Sequence, residues 1–353
     1  MRAGDMTVLK SALSADPCDG FAAYLLGCQM YNARRYDDAR ELFEAAVKHE
    51  PDFYIPYRNL ALVYYNHFGK PREAVDLLLE AIRIKPGDSM LLTELSEVMT
   101  GLDVGDRGTA RFLEQHKPEK PSDHMILSIA TAFNSALMFD KAEEVMRSHV
   151  FTPAEGEEYI TAVPYMYACL CRGRLALKKK KYEEALAFFE NAMILPENLN
   201  AGFWNESVLI PYKYNAAVAL KALGREEEAR ALIAELANLK NVGMWNMGGE
   251  FVYYSAMSVL LGGEELRARE IMREAILAWE KELRGGCTYY RRVTSLFGCF
   301  VGDYTKLRLS ELHGMLGYGK LFANDTAGAK ALFEKSMEIA PSYKIAFELE
   351  LLK

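Results

Sequence analysis

The 353-residue chain has only six histidines and three tryptophans, and no window approaches the roughly 18 uninterrupted apolar residues of a membrane span. His49, His67, His116, His124, His149 and His313 stand apart, with no HxxxH pair and no Cys/His cluster. That excludes the usual zinc constellations, so neither metal nor cofactor is expected. The six cysteines fall in no CxxC pair. Their helical spacing and apolar neighbours read as small core residues in a reducing setting. The formal net charge is −7, and a nucleic-acid or anionic-membrane footprint needs clustered Lys and Arg instead. The one basic run, Lys178 to Lys181, is followed at once by Glu183 and Glu184 and reads as a solvated turn. The opening "MRAGDMTVLKSALSADP" lacks the apolar stretch of a secretory signal, which points to the cytoplasm. No alternating strand pattern occurs. The glycine pairs at 248–249, 262–263 and 285–286 lack a P-loop Lys-Ser/Thr, and "LFGCF" (296–300) has no Ser between glycines. No catalytic constellation emerges, so a non-enzymatic chain is expected.

What is present is a repeat. In "GFAAYLLGCQMYNARRYDDARELFEAAVKHEPDF", Ala23, Leu26, Gly27 and Met30 form one apolar helical stripe, and Ala39, Phe43 and Ala46 form a second. Two short amphipathic helices cannot bury such stripes alone and must stack on neighbours. Small Gly27 and Ala39 permit close approach, and Phe43 fills the space beside them. Tyr57, Leu60, Ala61 and Tyr64, then Ala74, Leu78, Ala81 and Pro86, repeat the pattern. Ala39 to Ala74 and Pro51 to Pro86 are both 35 apart. The pattern resembles tetratricopeptide repeats, whose period is about 34 residues. Ala142, Ala185, Ala229, Ala268 and Ala329 anchor further units, with a degenerate one around Leu92, Leu95 and Met99. The expectation is an all-α superhelix of about eight helical hairpins, with residues 1–150 regular and 151–353 continuous with them but more irregular. After Ala142 the anchor spacing widens to 43, 44, 39 and 61. Long connectors are expected at 151–164 and 284–305, with a helix starting near Tyr165.

The strings "RNLALVYYN" (58–66), "FTPAEG" (151–156), "PENLNAG" (196–202) and "APSYKIA" (340–346) resemble, in order and spacing, the C-terminal repeat half of a bacterial family. The N-terminal half of that family is a mutarotase-like β-sandwich of unknown function, often associated with carbohydrate metabolism. The chain departs from the family pattern at Ala154, where an aromatic is common, and at Asn200, where a glycine is common. The resemblance implies a partner such as a β-sandwich domain of the same polypeptide or operon, and an association with carbohydrate.

The first helix of each hairpin is expected to line a concave groove. Its groove positions are Tyr24, Cys28, Tyr31 and Asn32 in the first unit, then Arg58, Leu62, Tyr65 and Asn66 in the second. Asn134, Arg174, Tyr214 and Tyr253 follow from later units. Tyr, Asn and Arg combine flat contact area with directed hydrogen bonds, which suits a polar extended ligand. The primary reading is therefore a scaffold that binds a protein or peptide through this groove. The alternative is the accessory half of a carbohydrate-active enzyme, with Glu155 and Glu94 as acids and Trp204 stacking on a sugar. Two such acids must stand roughly 5–10 Å apart. Within the acidic connector, Glu157 and Glu158 read as helix-start carboxylates, and Glu155 as a residue of the joint.

Overall fold

A computed structural model describes residues 3–102, 107–155, 157–203, 206–238, 249–286, 300 and 303–353. Among the described residues there are eighteen α-helices and no strand. Helix α1 (Ala3–Ala15) precedes eight consecutive helix pairs. These are α2 (Gly20–Asn32) with α3 (Tyr36–His49), α4 (Tyr54–Phe68) with α5 (Pro71–Ile84), α6 (Ser89–Leu102) with α7 (Arg107–His116), and α8 (Asp123–Ser135) with α9 (Phe139–Arg147). They continue as α10 (Glu158–Lys178) with α11 (Tyr182–Met193), α12 (Ile210–Ala222) with α13 (Glu226–Asn238), α14 (Gly249–Leu261) with α15 (Glu265–Arg284), and α16 (Tyr304–Phe322) with α17 (Thr326–Ile339). Helix α18 (Tyr343–Leu351) follows them. The expected all-α hairpin architecture is what the chain adopts.

A common sequence rule builds six of these hairpins. A small residue in the first helix is followed seven positions later by a left-handed turn residue. Five positions further comes a fully buried alanine, and four beyond that a large side chain. The chain reads Gly27–Arg34–Ala39–Phe43, Ala130–Leu137–Ala142–Met146, Gly173–Lys180–Ala185–Phe189, Ala217–Gly224–Ala229–Ile233, Ala256–Gly263–Ala268–Met272 and Gly317–Asn324–Ala329–Phe333. The α4–α5 hairpin keeps the rule with one inserted residue, as Ala61–Gly69–Ala74–Leu78. The left-handed residue lets the next amide reach back to a carbonyl of the last helical turn, as in Arg35 N to Met30 O at 2.9 Å and Asp325 N to Lys320 O at 2.9 Å. This is a Schellman-type stop. The small residue then admits the aromatic ring. A Cβ on Gly27 would lie 2.7 Å from Phe43 Cε1, and one on Gly317 would lie 2.5 Å from Phe333 Cε1.

The described residues group into two compact units. One draws on Met1–Leu102, Arg111–Met125 and Arg292–Asp303, the other on Asp103–Ala110, Ile126–Arg291 and Tyr304–Lys353. One expectation is corrected. The helix placed near Tyr165 starts at Glu158 and carries Pro164 inside it. Proline removes one intrahelical donor, yet the turn before it is held by Ile160 N and Thr161 N on Glu157 O and by burial of Thr161 and Ala162. Cys169 and Cys171 are buried. Burial pushes both thiols up, Cys169 to about 12, which keeps them unreactive core residues.

Candidate functional site

In the first unit, the inner helices α2, α4 and α6 are linked by a polar ladder. Tyr24 and Cys28 lie close together one turn apart on α2. Asn59 Nδ2 lies 3.6 Å from Cys28 Sγ, and Arg58 Nη1 donates to Asn59 Oδ1 at 3.2 Å. Across to α6, Arg58 clamps Glu94 through Nε at 2.9 and 3.1 Å and through Nη2. Their side chains are 17% and 7% exposed, so this pair is well shielded from solvent. One turn further along α6, the Oε2 atom of Glu97 is buried without a hydrogen-bond partner. Burial, followed by the neighbouring Glu94 carboxylate, raises Glu97 from 4.5 to about 7. Tyr65 is pushed up by burial and then by Glu97, and its ring meets Phe300 edge-on at 5.6 Å. Tyr31 joins a different cluster, where His67 stacks on Tyr36 at 3.4 Å and contacts the Tyr31 ring at 5.5 Å. Asn66 is half-buried and Asn32 exposed. Tyr24, Arg58 and buried Glu94 thus belong to one chain of contacts, with Tyr65 beside it through Glu97.

The second unit has a different inner face, because its groove is filled by α18. Arg174 of α10 donates to Glu348 Oε1 at 2.5 Å and Oε2 at 2.8 Å, and Tyr318 of α16 donates to Oε1 at 3.0 Å. Glu348 is 3% exposed. Phe347 packs edge-on against Phe139 and Tyr167, and Lys178 Nζ holds Leu351 O at 3.0 Å. Tyr253 packs between Tyr254 and Tyr318, and Tyr214 against Tyr254. Arg174, Tyr214 and Tyr253 therefore converge, but around the chain's own helix. Their expected role as open groove residues is corrected, since a buried guanidinium needs a carboxylate and Glu348 supplies it. Beside α18, a cavity of about 300 Å³ is lined by Glu250, Arg308, Ser310, Tyr318 and Lys344, among others. Lys344 Nζ lies 3.7 Å from Glu250 Oε2.

Asn134 is not a groove residue either. It is 1% exposed, and its Nδ2 donates to Pro164 O at 2.9 Å, which ties α8 to α10. The two family-like connectors are structural joints that clasp each other. Phe151 N donates to Asn198 O at 2.8 Å, and Asn200 Nδ2 donates back to Phe151 O at 2.7 Å. Asn198 Nδ2 bonds Met146 O and His149 O at 2.9 and 2.7 Å. Asn200 takes the left-handed conformation, φ 45°, which asparagine tolerates as the more usual glycine would. Glu157, the N-cap residue of α10, turns its carboxylate back to accept from Ala154 N at 3.3 Å and makes no side-chain cap bond to the helix it begins. Glu155 is exposed in this joint and belongs to the second unit, whereas Glu94 belongs to the first and is engaged by Arg58. Trp204 lies outside the described residues.

Sequence reasoning missed Glu97 and Glu348. The sign of Glu97 was available, because Glu94 and Glu97 are the only charges on α6 and share a face three residues apart. Glu348 follows the last repeat, where no pattern announced a further groove-filling helix.

Residues 24–89, covering nearly all of α2–α5, match the model of the family described as "Tetratricopeptide repeat". Among solved structures, the chain is similar to one in the complex titled "Structure of Naa15/Naa10 bound to HypK-THB", at 13% identity and TM-score 0.44. That likeness covers 98% of this chain and 57% of that one, so the present chain spans little more than half of its length. A tetratricopeptide repeat protein from Parabacteroides merdae ATCC 43184 matches at 16% identity and TM-score 0.34, over 94% of this chain and 98% of that one. The P58(IPK) TPR domain matches at 16% identity and TM-score 0.30, over 95% and 97%. No described helix is long and apolar enough to cross a membrane. By the matched span and the recurring hairpin rule, the fold is an all-α array of tetratricopeptide-like hairpins.

Proposed function

We propose that the protein is a binding scaffold that holds a peptide segment of a protein partner on the inner face of α2, α4 and α6. The observation that carries this reading is the contrast between the two inner faces. The face of the second unit is filled by α18, whereas that of the first presents half-buried Tyr24 and Leu62 beside the Arg58–Glu94 pair, with Phe300 seated edge-on against Tyr65 at one end. Aromatic and arginine side chains on a preformed surface bind extended segments at low ordering cost. A domain encoded beside this chain, such as a β-sandwich, is a natural source of the segment. Panning a random 12-residue peptide library against the full chain tests the reading. Enriched peptides are expected to lose at least tenfold in affinity on Leu62→Arg with the helical circular dichroism unchanged. Equal binding to both proteins would exclude this face.

A further inference from the structure

The chemistry of the partner follows from the charges on this face, and the inference rests on the peptide-binding reading above. The inner helices α2, α4 and α6 carry only three formally charged side chains, Arg58, Glu94 and Glu97, with His67 neutral. Arg58 and Glu94 cancel each other in a shielded bidentate pair. Glu97 is left as the surplus acid, and its burial favours the protonated form until a cation comes close. Its Oε2 is cut off from water and unpartnered, while the residue as a whole is only half-buried. Its nearest counter-charge, Arg58, is already engaged by Glu94, so a desolvated carboxylate here is relieved best by a further cation. An acidic ligand would meet the opposite situation, since the one guanidinium on the face is already clamped by Glu94.

A second feature shares the surface. Phe21, 55% exposed, leans on Phe53 and Tyr24 at 5.9 and 6.1 Å, and Tyr24 meets Phe53 edge-on at 5.1 Å. This aromatic ledge stands at the start of α2, between the capping Asp19 and Glu50, whose side chain lies against Gly20. The ledge is apolar with an acidic rim, which again matches a basic partner.

We propose that this face takes an extended peptide with a Lys or Arg side chain at Glu97 and an apolar side chain on the Phe21–Phe53 ledge. The contacts Cys28–Asn59 and Arg58–Glu94 fix the register of the three helices. With about 9 Å between neighbouring axes and a 1.5 Å rise per residue, Phe21 and Glu97 stand about 25 Å apart. An extended peptide covers that in about seven residues.

The test measures the affinity of the full chain for fluorescent 12-residue peptides with one Phe and one Lys seven positions apart. Otherwise identical peptides carry Gln or Glu in place of Lys. The Lys peptide is expected to bind at least tenfold more tightly than the Gln peptide, and the Glu peptide more weakly still. Glu97→Gln is expected to erase the difference between Lys and Gln, and Phe21→Ala to weaken all three alike. If the library peptides depend on Leu62 but show no preference for Lys or Arg, the basic-partner inference fails while the groove reading stands. If the Lys preference survives in Glu97→Gln, the assignment to Glu97 fails. If no peptide of any charge binds, both fall together.

Discussion

Removing one member of the Arg174–Glu348 pair tests whether α18 occupies the groove in solution. The two side chains are 14% and 4% exposed, so Arg174→Met strands a buried carboxylate. Breaking such a pair costs about 3–5 kcal/mol. Glu348→Leu strands the guanidinium at a similar cost and also leaves the Tyr318 hydroxyl without its acceptor, a further penalty of about 1–3 kcal/mol. The double variant removes both charges together, leaving that hydroxyl as the main deficit. The triple variant Arg174→Met, Glu348→Leu, Tyr318→Phe is then expected within about 2 kcal/mol of the parent, since a well-packed apolar substitute for a buried pair is often neutral. The assay is urea unfolding followed by circular dichroism for all corners of the double-mutant cycle, with amide exchange on α18 as a local readout. A coupling energy of at least about 2 kcal/mol is expected. Additive effects, or a loss below about 1 kcal/mol in Arg174→Met, would refute the placement of α18.

Two further outcomes follow from buried groups. Glu97 holds its proton in the folded chain up to about pH 7, against an ordinary value of 4.5. The folded state therefore binds more protons than the unfolded state between those values, and stability falls as pH rises through that window, by up to about 3 kcal/mol. Glu97→Gln is expected to flatten the curve and to be the more stable protein at pH 8; parallel pH profiles for both would contradict this. Gly173→Ala improves helix propensity by about 1 kcal/mol, yet its new Cβ would press into the fully buried ring of Phe189. Overpacking costs about 1–3 kcal/mol, so a net loss in thermal melting is expected, with Phe189→Leu restoring part of it. A higher melting temperature for Gly173→Ala would show that the ring has room to move.

The hairpins were legible because small and large residues recur at helical spacing, and Ala39, Ala74, Ala185 and Ala329 are all fully buried where the pattern places them. The turns were less so, since Arg34, Leu137 and Lys180 adopt left-handed backbone that composition alone would assign to glycine or asparagine. The start of α10 was placed too late, near Tyr165. Packing of Thr161 and Ala162 begins the helix earlier and carries it past Pro164. Arg58 lies near Tyr24 in the structure, as neighbouring helical repeats bring their first helices together, but no periodicity could reveal that Arg174 meets Glu348, 174 residues away. Long-range charge pairing leaves no local trace, and neither does the clasp between the 151–155 and 196–202 connectors.

That pairing changes how the second unit comes apart. An open array of repeats loosens from its ends one hairpin at a time, because each repeat touches only its neighbours. Here α18 bonds directly to α10 and packs on Phe139 of α9, so the unit behaves as a loop closed between its last helix and two of its early ones. Its unfolding should gain the all-or-none character of a compact globule. Its folding on the ribosome cannot finish until Glu348 has emerged, so the early hairpins wait for the last turn of helix to lock them.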